Sequence, residues 1–141
     1  FSPDAVCTRG QMVTFLWRAA GSPAPAAETC AFTDVKAGEY YYKAVIWAVE
    51  KGITNGVSAT EFAPNDTVTR GQVATFLYRY AGEPEVNVSM PFSDVASGEY
   101  YYKAVLWAVA NEITTGVSAT EFAPKAGCTR GQIVTFLYRA R

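Results

Sequence analysis

Thr69-Arg70-Gly71-Gln72-Val73-Ala74-Thr75-Phe76-Leu77-Tyr78-Arg79-Tyr80 is the stretch from which the rest of the chain can be read. Its first four residues spell a capping box. Thr69 is placed to accept from the backbone N–H of Gln72, and the Gln72 side chain to reach back to the Thr69 N–H. Val73, Phe76, Leu77 and Tyr80 then fall on one face at helical spacing. Thr-Arg-Gly-Gln recurs at Thr8 and at Thr129, with Gln11 and Gln132 at the matching place. Three helices of one kind are expected, and the chain around them should repeat as well.

It does. Gly38 to Val45 returns unchanged as Gly98 to Val105, and Gly56 to Pro64 as Gly116 to Pro124. The spacing is about 60 residues, so residues 32–82 read as one unit, 92–141 as a second, and 1–22 as the back half of a first. A front helix is predicted from Tyr40 to Lys51, with Ala44, Val45, Ala48 and Val49 as its apolar stripe. Gly52 suits the position after its end, where positive φ is wanted; the next repeat has Glu112 there, a less comfortable ending. The back helices should stop at Gly21 and Gly82, followed by proline-bearing linkers over 22–26 and 83–91. Thr54 to Thr67 reads as a turn-rich loop pinned by Phe62-Ala63-Pro64, with a short extended piece. The expected fold is all-α: tandem helix-loop-helix repeats in a pseudo-threefold arrangement around a central three-helix bundle.

Composition narrows the function. Lys plus Arg number 12 against 13 Asp plus Glu, with no basic run, so nucleic acid is not an expected partner. The apolar runs are too short to cross a bilayer, so membrane insertion is not expected. The chain shows no N-terminal leader and opens in mid-repeat, which predicts a piece of something longer. There is no histidine, and Cys7, Cys30 and Cys128 are too widely spaced for a metal knuckle, so neither a metal site nor a cofactor is expected. Asp34 with Glu39 is a carboxylate pair on paper, but a pair repeated in each unit fits structure or binding better than glycoside hydrolysis. A cysteine nucleophile lacks a histidine to activate it. No enzyme is expected.

The arginine that opens each back helix, Arg9, Arg70 or Arg130, opposes the helix dipole. Its recurrence suggests an anion close by, either a ligand or an internal carboxylate such as Asp34 or Asp94. Those aspartates read equally as ligand contacts or as loop carboxylates bound to backbone. Tyr40 and Tyr100 are candidates for stacking on sugar rings, while Trp47 and Trp107 are expected to pack.

Phe32-Thr33-Asp34-Val35, Tyr40, the Ala-Val-x-Trp-Ala-Val helix, Gly-Ile-Thr-Asn-Gly, Phe62-Ala63-Pro64 and Thr-Arg-Gly-Gln follow one another in order. This series resembles the S-layer homology repeat over essentially the whole chain, linkers aside. The resemblance implies three helical repeats on exported bacterial proteins, located at the cell wall surface or S-layer. It implies binding of secondary cell-wall polymers, often with pyruvylated sugars, in grooves between repeats. Carried over by position, the ligand-binding residues are Arg9, Arg70 and Arg130, Asp34 and Asp94, Tyr40 and Tyr100, and Gly56 and Gly116. The alternative is a protein–protein interaction array using exposed aromatics. The chain departs from the family pattern at Gln11, Gln72 and Gln132, where Glu is usual, and at Gly10, Gly71 and Gly131, where Ala is usual. For an exported protein, Cys7 and Cys30 form a disulfide candidate: their counterparts Val68 and Met90 are apolar, which predicts a shared buried contact, as a disulfide or as two thiols. Cys128 has no expected partner.

Overall fold

The computed structural model describes residues 4–141. Five helices follow in order: α1 (Arg9–Ala19), α2 (Tyr42–Glu50), α3 (Arg70–Tyr80), α4 (Tyr102–Ala110) and α5 (Arg130–Ala140). Among the described residues, extended pairing is confined to isolated bridges, so the all-α expectation holds. The capping box closes as predicted at Thr8, Thr69 and Thr129.

The described residues divide into two compact units, one of residues 7–67 and one of residues 68–141 joined by 4–6. The sequence repeat and the packing unit are therefore out of phase. In the first unit, α1 packs on α2, the front helix of the following repeat. Gly10 makes this possible, because a Cβ there would stand 3.0 Å from the Tyr41 ring and 3.1 Å from the Pro64 carbonyl oxygen. The Gly-for-Ala departure thus makes room for an aromatic ring. Arg9 and Gly10 donate their N–H groups to Asp66 and Pro64 oxygens, each at 2.9 Å, and Thr8 bridges to Thr67. That bridge is the short extended piece expected of the loop.

The second unit repeats this design and extends it, with α3 packed against both α4 and α5. Gly71 lies under Tyr101 as Gly10 does under Tyr41. Thr69 bridges to Gly127, and Val6 bridges to Thr129. Arg130 donates its N–H to the Ala5 oxygen at 2.9 Å, so residues 4–6 serve α5 as Ala126 serves α3. Of the three capping-box helices, α3 and α5 pack together; α1 belongs to the other unit, where its partner is α2.

Several local expectations need correction. The front helices begin at Tyr42 and Tyr102 rather than Tyr40 and Tyr100. Tyr41 and Tyr101 sit at the N-cap with no side-chain capping bond, their rings committed to the glycines just described. Val49 and Tyr80, assigned to buried faces, are exposed. α3 instead buries Ala74, Thr75 and Tyr78, because helices flank it on two sides. α5 lacks that second cover: Val134 is 47% exposed and Tyr138 62%, against 3% and 7% for their counterparts Ala74 and Tyr78. No disulfide joins Cys7 and Cys30; Cys7 is buried, packing as the apolar Val68 does, and Cys30 only half-buried. Gly52 and Glu112 both take positive φ, +72° and +58°, so Glu112 does adopt the conformation that glycine would accept at less cost.

Candidate functional site

The Phe-Ala-Pro turn is built first. Asp34 accepts from the N–H of Phe62 at 2.9 Å on Oδ1 and from that of Ala63 at 2.8 Å on Oδ2. Asp94 repeats the fork on Phe122 and Ala123, at 3.0 and 2.8 Å. The fork holds Ala63 and Ala123 at φ +58° and +57°, a left-handed conformation that alanine rarely adopts. The turn in turn presents a carbonyl to each motif arginine. Arg9 Nε donates to Phe62 O at 2.8 Å, and Arg70 Nε to Phe122 O at 2.7 Å. Each guanidinium also lies 4.7 Å above the ring of that same Phe. Arg70 is 4% exposed, and burial lowers its pKa, with Cys128 and Asp94 acting in the opposite direction.

Arg70 and the Phe136 ring, 5.3 Å from its guanidinium, both line a cleft of about 590 Å³ in the second unit. One wall is the loop Thr114, Thr115, Gly116 and Val117. The other is a face of α5 carrying Gly131, Gln132, Thr135 and Arg139, with Thr129 and Asp4 completing the lining. Gly116 sits at φ +88°, with its N–H donated to Thr114 Oγ1 at 3.0 Å. A Cβ at Gly116 would meet the Glu121 carbonyl oxygen at 2.6 Å, so the wall demands glycine. Arg139 Nη1 reaches the Ile113 carbonyl at 3.3 Å. The lining thus gathers two guanidiniums, one carboxylate and a set of hydroxyl and amide groups, the chemistry of a site for a hydroxylated anion.

Of the residues expected from sequence, Arg70 and Gly116 line this cleft; Arg130, Asp94 and Tyr100 do not. Arg9, Asp34, Tyr40 and Gly56 belong to the other unit. There Gly56 lies against the Phe32 ring at φ +82°. Tyr40 and Tyr100 are 52% and 59% exposed, each edge-on to the next tyrosine at 5.0 Å between centroids. Sequence reasoning missed Thr114, Thr115, Thr135, Arg139 and Asp4. The α5 contribution was available in principle, since Gln132, Thr135 and Arg139 share one helical face. Asp4 gave no signal, because its place depends on the pairing of residues 4–6 with α5. Among the described residues no cluster of His, Cys, Asp and Glu could hold a metal ion, and no helix is long and apolar enough to cross a membrane.

Both repeats resemble known proteins. Residues 31–74 and 91–134 each match the S-layer homology domain. The chain is 35% identical over 117 residues to the surface-layer 125 kDa protein of Lysinibacillus sphaericus, covering 82% of this chain and 10% of that protein. It is 34% identical to an endoglucanase of Bacillus sp. (strain KSM-635), covering 77% of this chain and 11% of the enzyme. A cell surface protein of Thermoanaerobacter kivui is 30% identical, over 81% of this chain and 16% of its own length. The chain thus spans only about a tenth to a sixth of these relatives.

Proposed function

This chain belongs to the S-layer homology family, and from that premise we propose that it is a non-catalytic module anchoring a larger exported protein to the bacterial cell wall. Its ligand, in this reading, is an acidic secondary cell-wall polysaccharide, such as one bearing pyruvylated sugars. The observation that carries the reading is the cleft where Arg70 and Arg139 converge with threonine hydroxyls and the Gln132 amide. Guanidiniums recognise the carboxylate and the polar walls the sugar hydroxyls. The exposed Tyr40 and Tyr100 offer faces for stacking on further residues of the same polymer. Arg9 and Arg130 are assigned the equivalent anion-binding role, with Asp34 and Asp94 acting beside them. This chain covers 11% of the endoglucanase, and that enzyme's activity is no part of this reading.

The test is retention on purified bacterial wall, before and after chemical removal of the polymer's acidic substituents. Arg139→Ala is the better probe than Arg70→Ala, because Arg70 also holds the Phe122 turn. Loss of one charge-assisted hydrogen bond should weaken retention by about tenfold or more. If neither removal of the acidic groups nor Arg139→Ala alters retention, acidic-glycan recognition in this cleft is wrong.

A further inference from the structure

Three matching positions mark one face of α1, α3 and α5, and on α5 that face is open. Gly10 and Gly71 are buried, whereas Gly131 is half-buried. Val13 is 0% exposed and Ala74 3%, whereas Val134 is 47% exposed. Trp17 is half-buried and Tyr78 7% exposed, whereas Tyr138 is 62% exposed even with Arg141 lying 3.9 Å above its ring. A single exposed valine is ordinary. A valine and a tyrosine one turn apart, on a face that is closed twice elsewhere in the chain, are not. In both closed cases the cover is a front helix, α2 on α1 and α4 on α3. Its N-cap tyrosine lies on the glycine, Tyr41 on Gly10 and Tyr101 on Gly71. Further along α4, Trp107 meets the Tyr78 ring at 5.8 Å between centroids and shares an apolar interior with Ala74.

The loop pairing says what belongs on α5. The start of α1 donates the Arg9 N–H to Asp66 O and bridges to Thr67; these residues follow α2 in the same repeat. The start of α3 donates the Arg70 N–H to Ala126 O and bridges to Gly127; these follow α4. The loop that caps a back helix and the front helix that covers it thus come from one repeat. At α5 the loop's part is taken by Ala5 and Val6. We propose that the open stripe of α5 is a docking surface for one front-type helix, of the same repeat as residues 4–6 and of the α2 and α4 kind. Its N-cap tyrosine would rest on Gly131 and its tryptophan on Val134 and Tyr138. Val134 and Tyr138 do not line the cleft, so this surface is separate from the glycan reading.

The test joins a second copy of residues 92–121 directly ahead of Phe1. The register is set by sequence, because Phe1 to Arg9 aligns without a gap on Phe122 to Arg130. Hydrogen exchange is then followed at the α5 amides, with those of α3 as the internal reference. The added helix should slow exchange along α5 by about tenfold or more, toward the rates of α3. Tyr101→Ser with Trp107→Ser in the added copy alone should abolish the gain. Val134→Glu in the extended chain should abolish it as well, whereas in the unextended chain it should leave α5 within about threefold of its original rates, since position 134 is exposed there. Unchanged α5 exchange on adding the helix overturns the proposal, and so does equal protection from the Tyr101→Ser, Trp107→Ser copy. Light scattering gives a further check. An unextended chain that doubles in mass with concentration, and thereby protects α5 as well as α3, would show the stripe to be the seat of a second copy instead.

Discussion

At the scale of single residues, most of the unusual features serve the Phe-Ala-Pro turn. Asp94 satisfies two backbone donors with one carboxylate, one of them on Ala123 in its left-handed conformation. Asp94→Ala should cost about 2–4 kcal/mol by urea denaturation, since two charge-assisted bonds disappear and a strained residue loses its tether. Gly71→Ala sets two effects against each other. Helix propensity favours alanine by about 1 kcal/mol. The new Cβ would lie 2.9 Å from the Tyr101 ring and 3.1 Å from the Pro124 oxygen, and overpacking of that kind costs about 1–3 kcal/mol. A net loss of about 1 kcal/mol is expected, and a gain would show that the Tyr101 ring yields freely. The Asp-to-backbone bonding was legible in sequence as one of two readings. The positive φ of Ala63 and Ala123 was not, because nothing in an alanine announces it; the constraint is imposed by a carboxylate 29 residues earlier. For the arginines the sequence suggested a nearby anion and gave no sign of their turn-holding role, since the carbonyls that Arg9 and Arg70 bind lie about fifty residues away in sequence.

At the scale of elements, the back helices were readable because their caps are local and complete. The front helices were misplaced by two residues at the start, because Tyr41 and Tyr101 answer to a distant glycine rather than to their own helix. The end of α4 is where local chemistry and conformation disagree. Glu112→Gly should stabilise the chain by about 1 kcal/mol, relieving a left-handed non-glycine residue at some cost in unfolded-chain entropy. A thermal midpoint unchanged or lowered would refute this. α5 is exposed along the stripe that α4 covers on α3. Its amides should therefore exchange with deuterium sooner than those of α3, although the two helices share a cap and nearly a sequence.

At the scale of the whole molecule, burial raises the phenol pKa of Tyr41, Tyr78 and Tyr101, with nearby carboxylates adding to the effect. The folded chain thus holds those protons more tightly than the unfolded chain. Stability should be unaffected by these groups below the ordinary tyrosine value and should fall as pH rises past about 10. Urea midpoints compared at pH 9 and pH 10.5 would reveal the drop. Thiol titration of the denatured chain should find three thiols, matching three cysteines and no disulfide. Sequence could reveal the repeats but not their grouping, because the pairing of residues 4–6 with the start of α5 links segments that carry no mutual signal. That pairing also imposes an order of events on the newborn chain. The Thr8–Thr67 bridge can close once Thr67 has been made, whereas Val6 must wait until Thr129 has left the ribosome. The extra loop entropy is only about 0.6 kcal/mol, because the loop is roughly twice as long. The larger consequence is a delay: residues 7–67 are complete about sixty residues before Thr129 emerges, so residues 4–6 wait for the start of α5 while the other unit can already mature.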